Sequence, residues 1–235
     1  MEGTVFVYAR SDSTRLPRKA FLPLGNSCLI ELVMRRASCF GLGKAVLLTT
    51  SRTVDDELAA YVEKSGYPVV RGDAFDLVKR TVEAINQTSA DFFFRVNGDS
   101  PFLDYKLGRE VSRYAGKFPL VSNLIERTFP YGVAIEMISS SLYLDYSRSY
   151  KPEEAEHVTQ HIYRNVGSID TLSLVSERDD SQASMTIDTK EDYERLKGVF
   201  NVDHHSENWD VAYWQVMNLK EPSLKFVELN CEPNL

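Results

Sequence analysis

The sequence predicts an α/β protein in which a mainly parallel β-sheet lies between two layers of helices. Apolar segments of strand length recur along the chain, and stretches with helical spacing of apolar residues separate them. Two polar clusters begin where an apolar strand ends, which is where α/β sheets bind their ligands. Strands that alternate with helices form βαβ units, and the helices of such units cover both faces of a parallel sheet.

Four strands and three helices are predicted in the first half of the chain. The strands cover residues 5–9, 45–49, 91–96 and 120–122. The helices place apolar residues three and four positions apart, within residues 29–37, 58–62 and 77–85.

The second half of the chain is less regular, and a turn is predicted at Tyr131 and Gly132. The other predicted elements are strands over residues 133–138, 172–175 and 185–187, and helices over residues 153–165 and 189–200. Thr189 is a good cap for the last helix, and Asp192 stands at the reciprocal capping position.

No linker, internal repeat or low-complexity tract divides the 235 residues, so we expect one domain over residues 1–235. Residues 201–235 form a C-terminal extension that contains Trp209 and Trp214. We expect this extension to pack on the domain or against a second subunit, and the second arrangement would make a homodimer.

The composition is typical of a globular protein, with 43% hydrophobic and 26% charged residues. The net charge of −7 disfavours duplex nucleic acid as a partner. No signal peptide precedes Val5, and no apolar stretch approaches the roughly 18 residues of a membrane span. Cys28, Cys39 and Cys231 form no Cys-x-x-Cys pair, which favours reduced thiols. We therefore expect a cytoplasmic protein that binds neither nucleic acid nor membrane.

A basic loop follows the first predicted strand. Its four cations and three hydroxyl side chains are Arg10, Arg15, Arg18, Lys19, Ser11, Ser13 and Thr14. Guanidinium groups bind phosphate oxygens in pairs, and a lysine supplies a mobile point charge. The loop is therefore predicted to bind the triphosphate of a nucleotide; the alternative is a basic loop that only faces solvent.

Two carboxylates follow short apolar segments. Asp99 lies at the tip of the most apolar strand, after Gly98, and Asp188 precedes the last predicted helix. Mg²⁺ prefers a few carboxylates together with substrate phosphates to a cage made only of protein groups. Together with the basic loop, the pair predicts a Mg²⁺ site. Taken singly, each aspartate could instead cap the turn or helix that follows it.

Several other chemistries are disfavoured because their motifs are incomplete or absent. His157 and His161 are four residues apart, but Val158 stands where a zinc protease has glutamate, so we expect a polar face of a substrate cleft instead. His204 and His205 are predicted to lie on the surface. The sequence has no glycine-rich dinucleotide motif, no P-loop and no nucleophile elbow.

Taken in order, these segments resemble the cytidylyltransferase family typified by spore-coat polysaccharide proteins and related to the enzymes that activate sialic acid and 3-deoxy-manno-octulosonate. The matches, between about residues 4 and 200, are Ala9, Arg10, Ser13, Thr14, Arg15, Leu16, Pro17, Lys19, Arg71, Gly72, Arg95, Gly98, Asp99, Pro101, Val121, Ser122, Asn123, Gly132, Glu136, Glu156, His157, Val158, Thr159, Asp188 and Thr189.

The resemblance implies a single domain of the nucleotide-diphospho-sugar transferase type, with a mixed, mainly parallel sheet. It also implies an enzyme that uses Mg²⁺ to transfer CMP from CTP to a sugar or sugar phosphate, with release of pyrophosphate. The product would serve polysaccharide or glycan biosynthesis.

The resemblance assigns roles to three groups of residues. The nucleotide would be bound by Arg10, Ser13, Arg15, Lys19, Arg71, Gly72 and Arg95, of which Arg71 and Gly72 frame the base. Mg²⁺ would be held by Asp99 and Asp188, and the catalytic residues would be Lys19, Arg15 and Asp99, because Lys19 or Arg15 steadies the departing pyrophosphate. The acceptor would contact Asn123, Glu136, Glu156 and His157, and Glu136 or His157 could act as a base toward a hydroxyl.

The chain also departs from the family pattern. The departures are Asp12 and Arg18 in place of glycine, Tyr131 and Ala134 in place of aspartate, and Gln160 in place of proline. They leave open a binding protein for nucleotides or nucleotide sugars that has no activity. A glycosyltransferase of related architecture is the third alternative, although Gly98-Asp99-Ser100 is not the Asp-x-Asp motif that such enzymes use. The residues alone do not choose between CTP and UTP.

Overall fold

The structure is a computed structural model that describes residues 1–200 and 208–229. Its strands are β1 (Gly3–Tyr8), β2 (Pro23–Leu24), β3 (Ser27–Cys28), β4 (Val46–Thr50), β5 (Val69–Gly72), β6 (Phe92–Asn97), β7 (Leu120–Ser122), β8 (Glu136–Ser139), β9 (Thr171–Ser176) and β10 (Leu224–Leu229). Its α-helices are α1 (Leu29–Ser38), α2 (Asp56–Lys64), α3 (Leu77–Thr88), α4 (Tyr105–Ser112), α5 (Ser140–Tyr146), α6 (Gln160–Tyr163), α7 (Lys190–Leu196) and α8 (Tyr213–Val216). Short 3₁₀ helices lie at Lys19–Phe21, Thr53–Asp55, Pro152–Glu154, Val166–Ser168, Lys197–Phe200 and Asn208–Asp210.

A single large sheet forms the centre of the described part of the chain. Its strand order is β10-β9-β7-β8-β6-β1-β4-β5. The pairs β1–β4, β1–β6, β4–β5 and β7–β9 are parallel, while β8 and β10 run antiparallel to their neighbours. The strands β2 and β3 form a separate short hairpin. The sheet is thus mixed and mainly parallel, and the predicted fold class is confirmed.

Helices cover both faces of this sheet, and the side chains of each strand alternate between the two resulting cores. Val5 and Val7 of β1 belong to a core with α1, α2, α4 and α7. Phe6 and Tyr8 of the same strand belong to a core with α3, α5 and α6. Successive residues of a strand point to opposite faces, so a strand covered on both sides is apolar throughout. The continuous apolar runs of the sequence follow from this three-layer arrangement.

The strands and helices predicted for the first half are confirmed, with ends that shift by up to three residues. Pattern alone does not reveal β5, because Arg71 and Gly72 make up half of this four-residue strand. It does not reveal the hairpin of β2 and β3 either, since each of these strands has only two residues.

The predicted helix over residues 153–165 is wrong. This segment contains a 3₁₀ turn at Pro152–Glu154 and the single-turn helix α6. Between them, the carbonyl oxygen of Ala155 accepts a hydrogen bond of 2.7 Å from the backbone N–H of Leu77. A carbonyl that bonds to α3 is not available to its own helix, so the helical ladder is interrupted here.

The predicted strand over residues 185–187 is also wrong, although its backbone is bonded to neighbours. Met185 N–H donates to the carbonyl of Tyr131 at 2.7 Å, and Ile187 N–H donates to the carbonyl of Asp99 at 2.9 Å. These single bonds do not form a ladder. The turn at Tyr131 and Gly132 is confirmed, and Gly132 has a φ of +95° that favours glycine.

Two further elements of the second half are shorter than predicted. Strand β8 begins only at Glu136, because the side-chain amide of Asn123 bonds to the carbonyl of Val133 and the N–H of Ile135. Helix α7 ends at Leu196 and continues as a 3₁₀ turn to Phe200. The predicted capping box of this helix is confirmed, since Thr189 and Asp192 bond to each other's backbone N–H.

The described part of the C-terminal extension packs on the same domain. The buried guanidinium of Arg36 in α1 donates to the carbonyls of Trp209 and Val211, both at 2.8 Å, and β10 completes one edge of the sheet. Among the described residues, no helix has the length and apolarity that crossing a membrane requires. The predictions for His204, His205 and Cys231 lie outside the described residues, as do those for the rest of 201–207 and 230–235.

Candidate active site

A cleft of about 330 Å³ opens at the carboxyl ends of the parallel strands β1, β5 and β6. Ligands of α/β sheets bind at this edge because the loops that follow parallel strands converge there. The wall is formed by the loop after β1, the turn after β5, the tip of β6 and the segment before α7. Tyr131 and Glu156 complete it.

The ammonium group of Lys19 lies between two carboxylates in this cleft. Its Nζ atom is 2.8 Å from Asp99 Oδ2 and 2.7 Å from Asp188 Oδ1. Arg15 Nη2 lies 3.3 Å from the second oxygen of Asp188. Burial lowers the pKa of Lys19, but the carboxylates of Asp99 and Asp188 outweigh burial and raise this pKa above its ordinary value. The structure thus brings together the residues that the two predicted motifs contain.

Local backbone contacts explain how the two aspartates meet. Gly98 N–H donates to the carbonyl of Tyr8 at 2.9 Å, and a Cβ atom at position 98 would lie 2.7 Å from that of Ala9. Glycine therefore lets the tip of β6 approach the start of the basic loop. The bond from Ile187 N–H to the carbonyl of Asp99 then places Asp188 beside Asp99.

The two carboxylates fit a hard divalent cation. Asp99 and Asp188 already contact one positive group, so both can reach a single ion. No group of three or more metal-binding side chains occurs among the described residues. Two carboxylates without further protein ligands suit Mg²⁺, which usually keeps several waters and binds substrate phosphates.

The basic loop contributes part of its positive charge to the cleft. Arg10, Ser13, Thr14, Arg15 and Lys19 line the cleft wall. Arg18 does not line the wall, because its guanidinium forms two hydrogen bonds of 2.8 Å with Glu57 of α2.

The carboxylate of Asp12, which departs from the family pattern, is paired with arginines. Asp12 Oδ2 is 2.6 Å from Arg52 Nη2, and Asp12 Oδ1 is 3.4 Å from Arg10 Nε. Asp12 is not part of the cleft wall. Its negative charge is therefore balanced locally.

Asp55 fixes the backbone of the basic loop at Ser11. Its side chain is fully buried and accepts hydrogen bonds from the backbone N–H of Ser11, at 2.7 Å, and from the hydroxyl of Thr50. A buried carboxylate is stable only with such partners. Sequence reasoning missed Asp55 and Arg52, because they follow β4 rather than β1 and no motif marks them.

The residues predicted to frame the base do not line the cleft. Arg71 donates to the carbonyls of Thr50 and Arg52 and to Asp56, and thereby supports the loop after β4. Gly72 is needed for packing, since a Cβ atom there would lie 2.9 Å from Cγ of Arg80 in α3.

The predicted acceptor residues separate into two groups. Glu156 lines the cleft, and His157 is exposed beside it without contributing to the wall. Asn123 is fully buried, and its amide clamps the backbone of residues 133 and 135. A buried side chain with both amide groups occupied has no surface for a substrate, so its predicted acceptor contact is corrected to a structural one.

Glu136 and Arg95 form a largely buried ion pair. Glu136 is fully buried, with Oε2 at 2.8 Å from Arg95 Nη1 and Oε1 at 3.1 Å from the hydroxyl of Thr159. Burial would lower the pKa of Arg95, but Glu136 outweighs it and raises this pKa. Neither side chain belongs to the cleft wall. The predicted acceptor contact of the fully buried Glu136 is therefore corrected to a structural pairing, whereas Arg95 is partly exposed and its predicted nucleotide contact stays a prediction.

Sequence reasoning also missed two residues of the cleft wall, Phe75 and Arg80. Phe75 is exposed, and Arg80 is a largely buried cation whose pKa is lowered by burial. Arg80 occupies an ordinary position in the first turns of α3, so nothing in the sequence marks it. Phe75 could have been found as an aromatic residue within a segment rich in aspartate.

Comparisons with known proteins identify the family of this chain. The sequence profile described as "Cytidylyltransferase" matches residues 4–207. The spore coat polysaccharide biosynthesis protein SpsF of Bacillus subtilis is 30% identical over 208 residues, which are 83% of this chain and 84% of that protein.

Solved structures show the same fold. A cytidylyltransferase from Leptospira borgpetersenii has a TM-score of 0.85 and 30% identity, with 93% of each chain covered. The CMP:2-keto-3-deoxy-manno-octonic acid synthetase, solved in complex with CTP, has a TM-score of 0.59 and 18% identity, with 84% of this chain and 98% of that chain covered. The fold is that of the nucleotide-diphospho-sugar transferases, as the resemblance implied.

The profile covers most of the chain, and a relative at 30% identity spans most of both sequences. The resemblance drawn from the motifs is therefore confirmed. This chain belongs to the cytidylyltransferase family, and it is an enzyme that transfers CMP from CTP.

Proposed function

We propose that this enzyme depends on Mg²⁺ and transfers CMP from CTP to a sugar or sugar phosphate, with release of pyrophosphate, in polysaccharide or glycan biosynthesis. The observation that carries the proposal is the contact of Lys19 with both Asp99 and Asp188 in the cleft. Arg10 and Arg15 give this cleft local positive charge in a protein whose net charge is −7. Such a pocket suits the triphosphate of CTP.

In the proposed reaction, an acceptor oxygen attacks the α-phosphorus of CTP. A bond forms between that oxygen and phosphorus, and the bond from phosphorus to the bridging oxygen of the β-phosphate breaks. The bonding electrons leave with pyrophosphate. Catalysis of phosphoryl transfer consists mostly of positioning and charge stabilisation, which the cations of the basic loop can supply.

The polar groups of the basic loop and the two aspartates have proposed roles. Arg10, Ser13 and Arg15 bind the phosphates of CTP. Asp99 and Asp188 would hold Mg²⁺, which when bound supplies charge that polarises the α-phosphate. Lys19, released from the carboxylates, binds the β- and γ-phosphates and stabilises the charge of the departing pyrophosphate.

The nature of the acceptor decides whether a base is needed. A sugar phosphate is already ionised, whereas a hydroxyl must lose a proton. Besides Asp99 and Asp188, the one carboxylate of the described cleft wall is Glu156. It lies next to Ala155, whose carbonyl is fixed by Leu77 of α3. We propose Glu156, in place of Glu136 or His157, as the group that accepts a hydroxyl proton.

Two measurements test the proposal. Calorimetric titration with CTP, UTP, ATP and GTP, with and without Mg²⁺, is expected to show selective CTP binding that Mg²⁺ tightens. Release of pyrophosphate from CTP is then measured with sugars and sugar phosphates. The Asp99→Asn variant is expected to lose turnover while CTP binding largely survives, whereas Asp145→Asn, at an exposed carboxylate of α5, is expected to behave like the unaltered protein.

The outcomes separate the alternatives. Binding of CTP without pyrophosphate release from any acceptor would indicate a nucleotide or nucleotide-sugar binding protein. Transfer of sugar from a nucleotide sugar would indicate a glycosyltransferase. Unchanged turnover of Asp99→Asn would overturn the metal assignment.

Three further predictions belong to the proposal. The chain forms a single domain over residues 1–235, acts in the cytoplasm and can assemble as a homodimer. Light scattering on the purified full-length protein measures the assembly directly.

A further inference from the structure

Phe75 presents an aromatic ring to solvent at the wall of the cleft. The residue is 66% exposed, although large apolar side chains are usually buried. It follows β5 and precedes α3, and it contributes to the same cleft as the basic loop and Asp99. An exposed ring inside a binding cleft is free to contact a ligand.

The turn that carries Phe75 is held rigidly. One carboxylate oxygen of Asp73 accepts hydrogen bonds of 3.0 Å from the backbone N–H groups of both Phe75 and Asp76. Arg80 donates to the carbonyl of Asp73 at 2.9 Å, and Tyr150 donates to the side chain of Asp76 at 2.5 Å. These bonds fix the backbone from which the ring projects, so little backbone entropy is lost when a ligand stacks on the ring.

Arginine contacts place Phe75 at one end of the phosphate-binding loop. The guanidinium of Arg52 lies 5.9 Å from the centre of the Phe75 ring, and the same group bonds to Asp12 at 2.6 Å. Asp12 in turn lies 3.4 Å from Arg10. Contacts of Arg52 and Asp12 thus connect the ring of Phe75 to Arg10, the first cation of the loop.

Tyr131 lines the same cleft. Its carbonyl accepts the N–H of Met185, in the segment that leads to Asp188, and the guanidinium of Arg127 lies 5.0 Å from its ring centre. Tyr131 is thus linked to the segment that carries Asp188, whereas Phe75 is linked to Arg10 through Arg52 and Asp12. Since the proposed attack on the α-phosphate takes place at the carboxylates, a base on the Phe75 side leaves the carboxylate side free for the acceptor.

We infer that Phe75 is the platform on which the pyrimidine ring of CTP stacks, and that it determines nucleotide affinity while the basic loop holds the phosphates. The inference rests on the proposed function, because it needs CTP as the substrate. A flat aromatic surface is a general partner for a base, and such stacking contributes about 1–3 kcal/mol per base in proteins that bind single strands. Arg52 can add a cation–π contact on the ring.

Calorimetry with two ligands tests the inference on the full-length protein. The Phe75→Ala variant is expected to bind CTP at least about fivefold more weakly, while its affinity for inorganic tripolyphosphate stays unchanged. Phe75→Leu keeps an apolar side chain without a flat ring and is expected to share the loss, whereas Phe75→Tyr is expected to retain binding. Val54→Ala is the matched control, because Val54 is 48% exposed and lies outside the cleft wall.

A spectroscopic measurement reports stacking directly. In the Phe75→Trp variant, CTP is expected to quench tryptophan fluorescence more than it does in the unaltered protein. Tripolyphosphate is expected to cause no such additional quenching. Equal CTP affinity of Phe75→Ala and the unaltered protein would overturn the inference and leave the proposed function standing. Failure of the unaltered protein to bind CTP would overturn the proposed function itself, so the two failures are distinguishable.

Discussion

At the scale of single residues, Lys19 competes for the oxygens that a divalent cation would use. Its ammonium group contacts Asp99 and Asp188 at 2.8 and 2.7 Å. A metal ion that arrives without nucleotide must displace this ammonium, and the displaced charge has no new partner. A triphosphate supplies that partner. Binding of metal and nucleotide should therefore be coupled through the side chain of Lys19.

We predict that Lys19→Met strengthens metal binding in the absence of nucleotide. The substitution keeps a long side chain but removes the charge that neutralises the two carboxylates, so Mn²⁺ should bind at least about tenfold more tightly. Electron paramagnetic resonance of free Mn²⁺ measures this affinity without any turnover. Lys64→Met, at an exposed position in α2, is the control. Equal affinities in all three proteins would contradict the prediction.

Sequence reasoning could predict at this scale that Asp99 joins the basic loop, because the carboxyl ends of parallel strands share one edge of a sheet. It could not predict that Glu136 and Asn123 are buried. A motif shows which residue is present, but the register of β7 and β8 decides whether its side chain faces the cleft or the interior. Asp55 was equally hidden, since its partners come from two different loops.

At the scale of elements, the ion pair of Arg95 and Glu136 joins β6 to the neighbouring antiparallel strand β8. Glu136 is fully buried and Arg95 is 21% exposed, with Thr159 as an additional donor to Glu136. A buried ion pair stabilises little relative to apolar residues of similar volume, but removal of one partner leaves the other charge without compensation.

We predict that Glu136→Gln lowers the free energy of unfolding by about 3 kcal/mol, because Arg95 keeps its buried charge. Urea denaturation measures the loss. The KM for the acceptor is expected to stay unchanged, which distinguishes a structural role from substrate contact. The double variant Arg95→Met, Glu136→Leu is expected to recover much of the stability. A raised KM at unchanged stability would restore Glu136 as an acceptor residue.

Helix α6 carries a buried histidine, His161. Its ring is surrounded by Tyr143, Tyr146 and Tyr150, with centroids 5.6, 6.2 and 6.4 Å away. Neither ring nitrogen has a hydrogen-bond partner. Burial lowers the pKa of His161 below its ordinary value of 6.5, and the nearby Glu154 opposes this only in part.

This lowered pKa makes stability depend on pH in a defined direction. Below pH 6.5 the unfolded chain binds a proton at His161 that the folded protein does not, so the contribution to stability is lost as pH falls from 6.5 toward the lower folded pKa. We predict that the difference in Tm between His161→Phe and the unaltered protein is constant above pH 6.5 and moves in favour of the variant below it. A difference that does not change with pH would contradict this.

Among the elements, the first-half strands could be predicted because they are buried on both faces and therefore continuously apolar. The interruption of the predicted helix at Ala155 could not be predicted, since its cause is a hydrogen bond to Leu77, which is far away in the sequence. Strand β10 was missed for a related reason. As an edge strand it is partly exposed, and Lys225 and Glu228 dilute its apolar pattern.

At the scale of the whole molecule, Arg36 ties the C-terminal segment to the body of the domain. Its side chain is 1% exposed and donates to three backbone carbonyls, those of Leu103, Trp209 and Val211. Burial lowers the pKa of Arg36 to about 10. A single charged side chain thereby joins α1, the loop before α4 and the segment that leads to β10.

We predict that Arg36→Met lowers the free energy of unfolding by about 3 kcal/mol, because one buried and two partly buried carbonyls lose a charged donor. Limited proteolysis is expected to cleave first within the C-terminal segment. Arg113→Met, at an exposed arginine that follows α4, is the matched control and is expected to change stability little. Equal rates of cleavage in the two variants would argue against a role of Arg36 in holding the C-terminal segment.

The contact between Lys19 and Asp188 also has a consequence for biosynthesis, since it joins residues 169 positions apart in the sequence. Lys19 of the basic loop is synthesised 169 residues before the second carboxylate. A chain that terminates or is cut before residue 188 carries the phosphate-binding loop and Asp99 without the other half of the cation site. Pyrophosphate release therefore reports that translation has passed this point and that the basic loop and Asp188 have met.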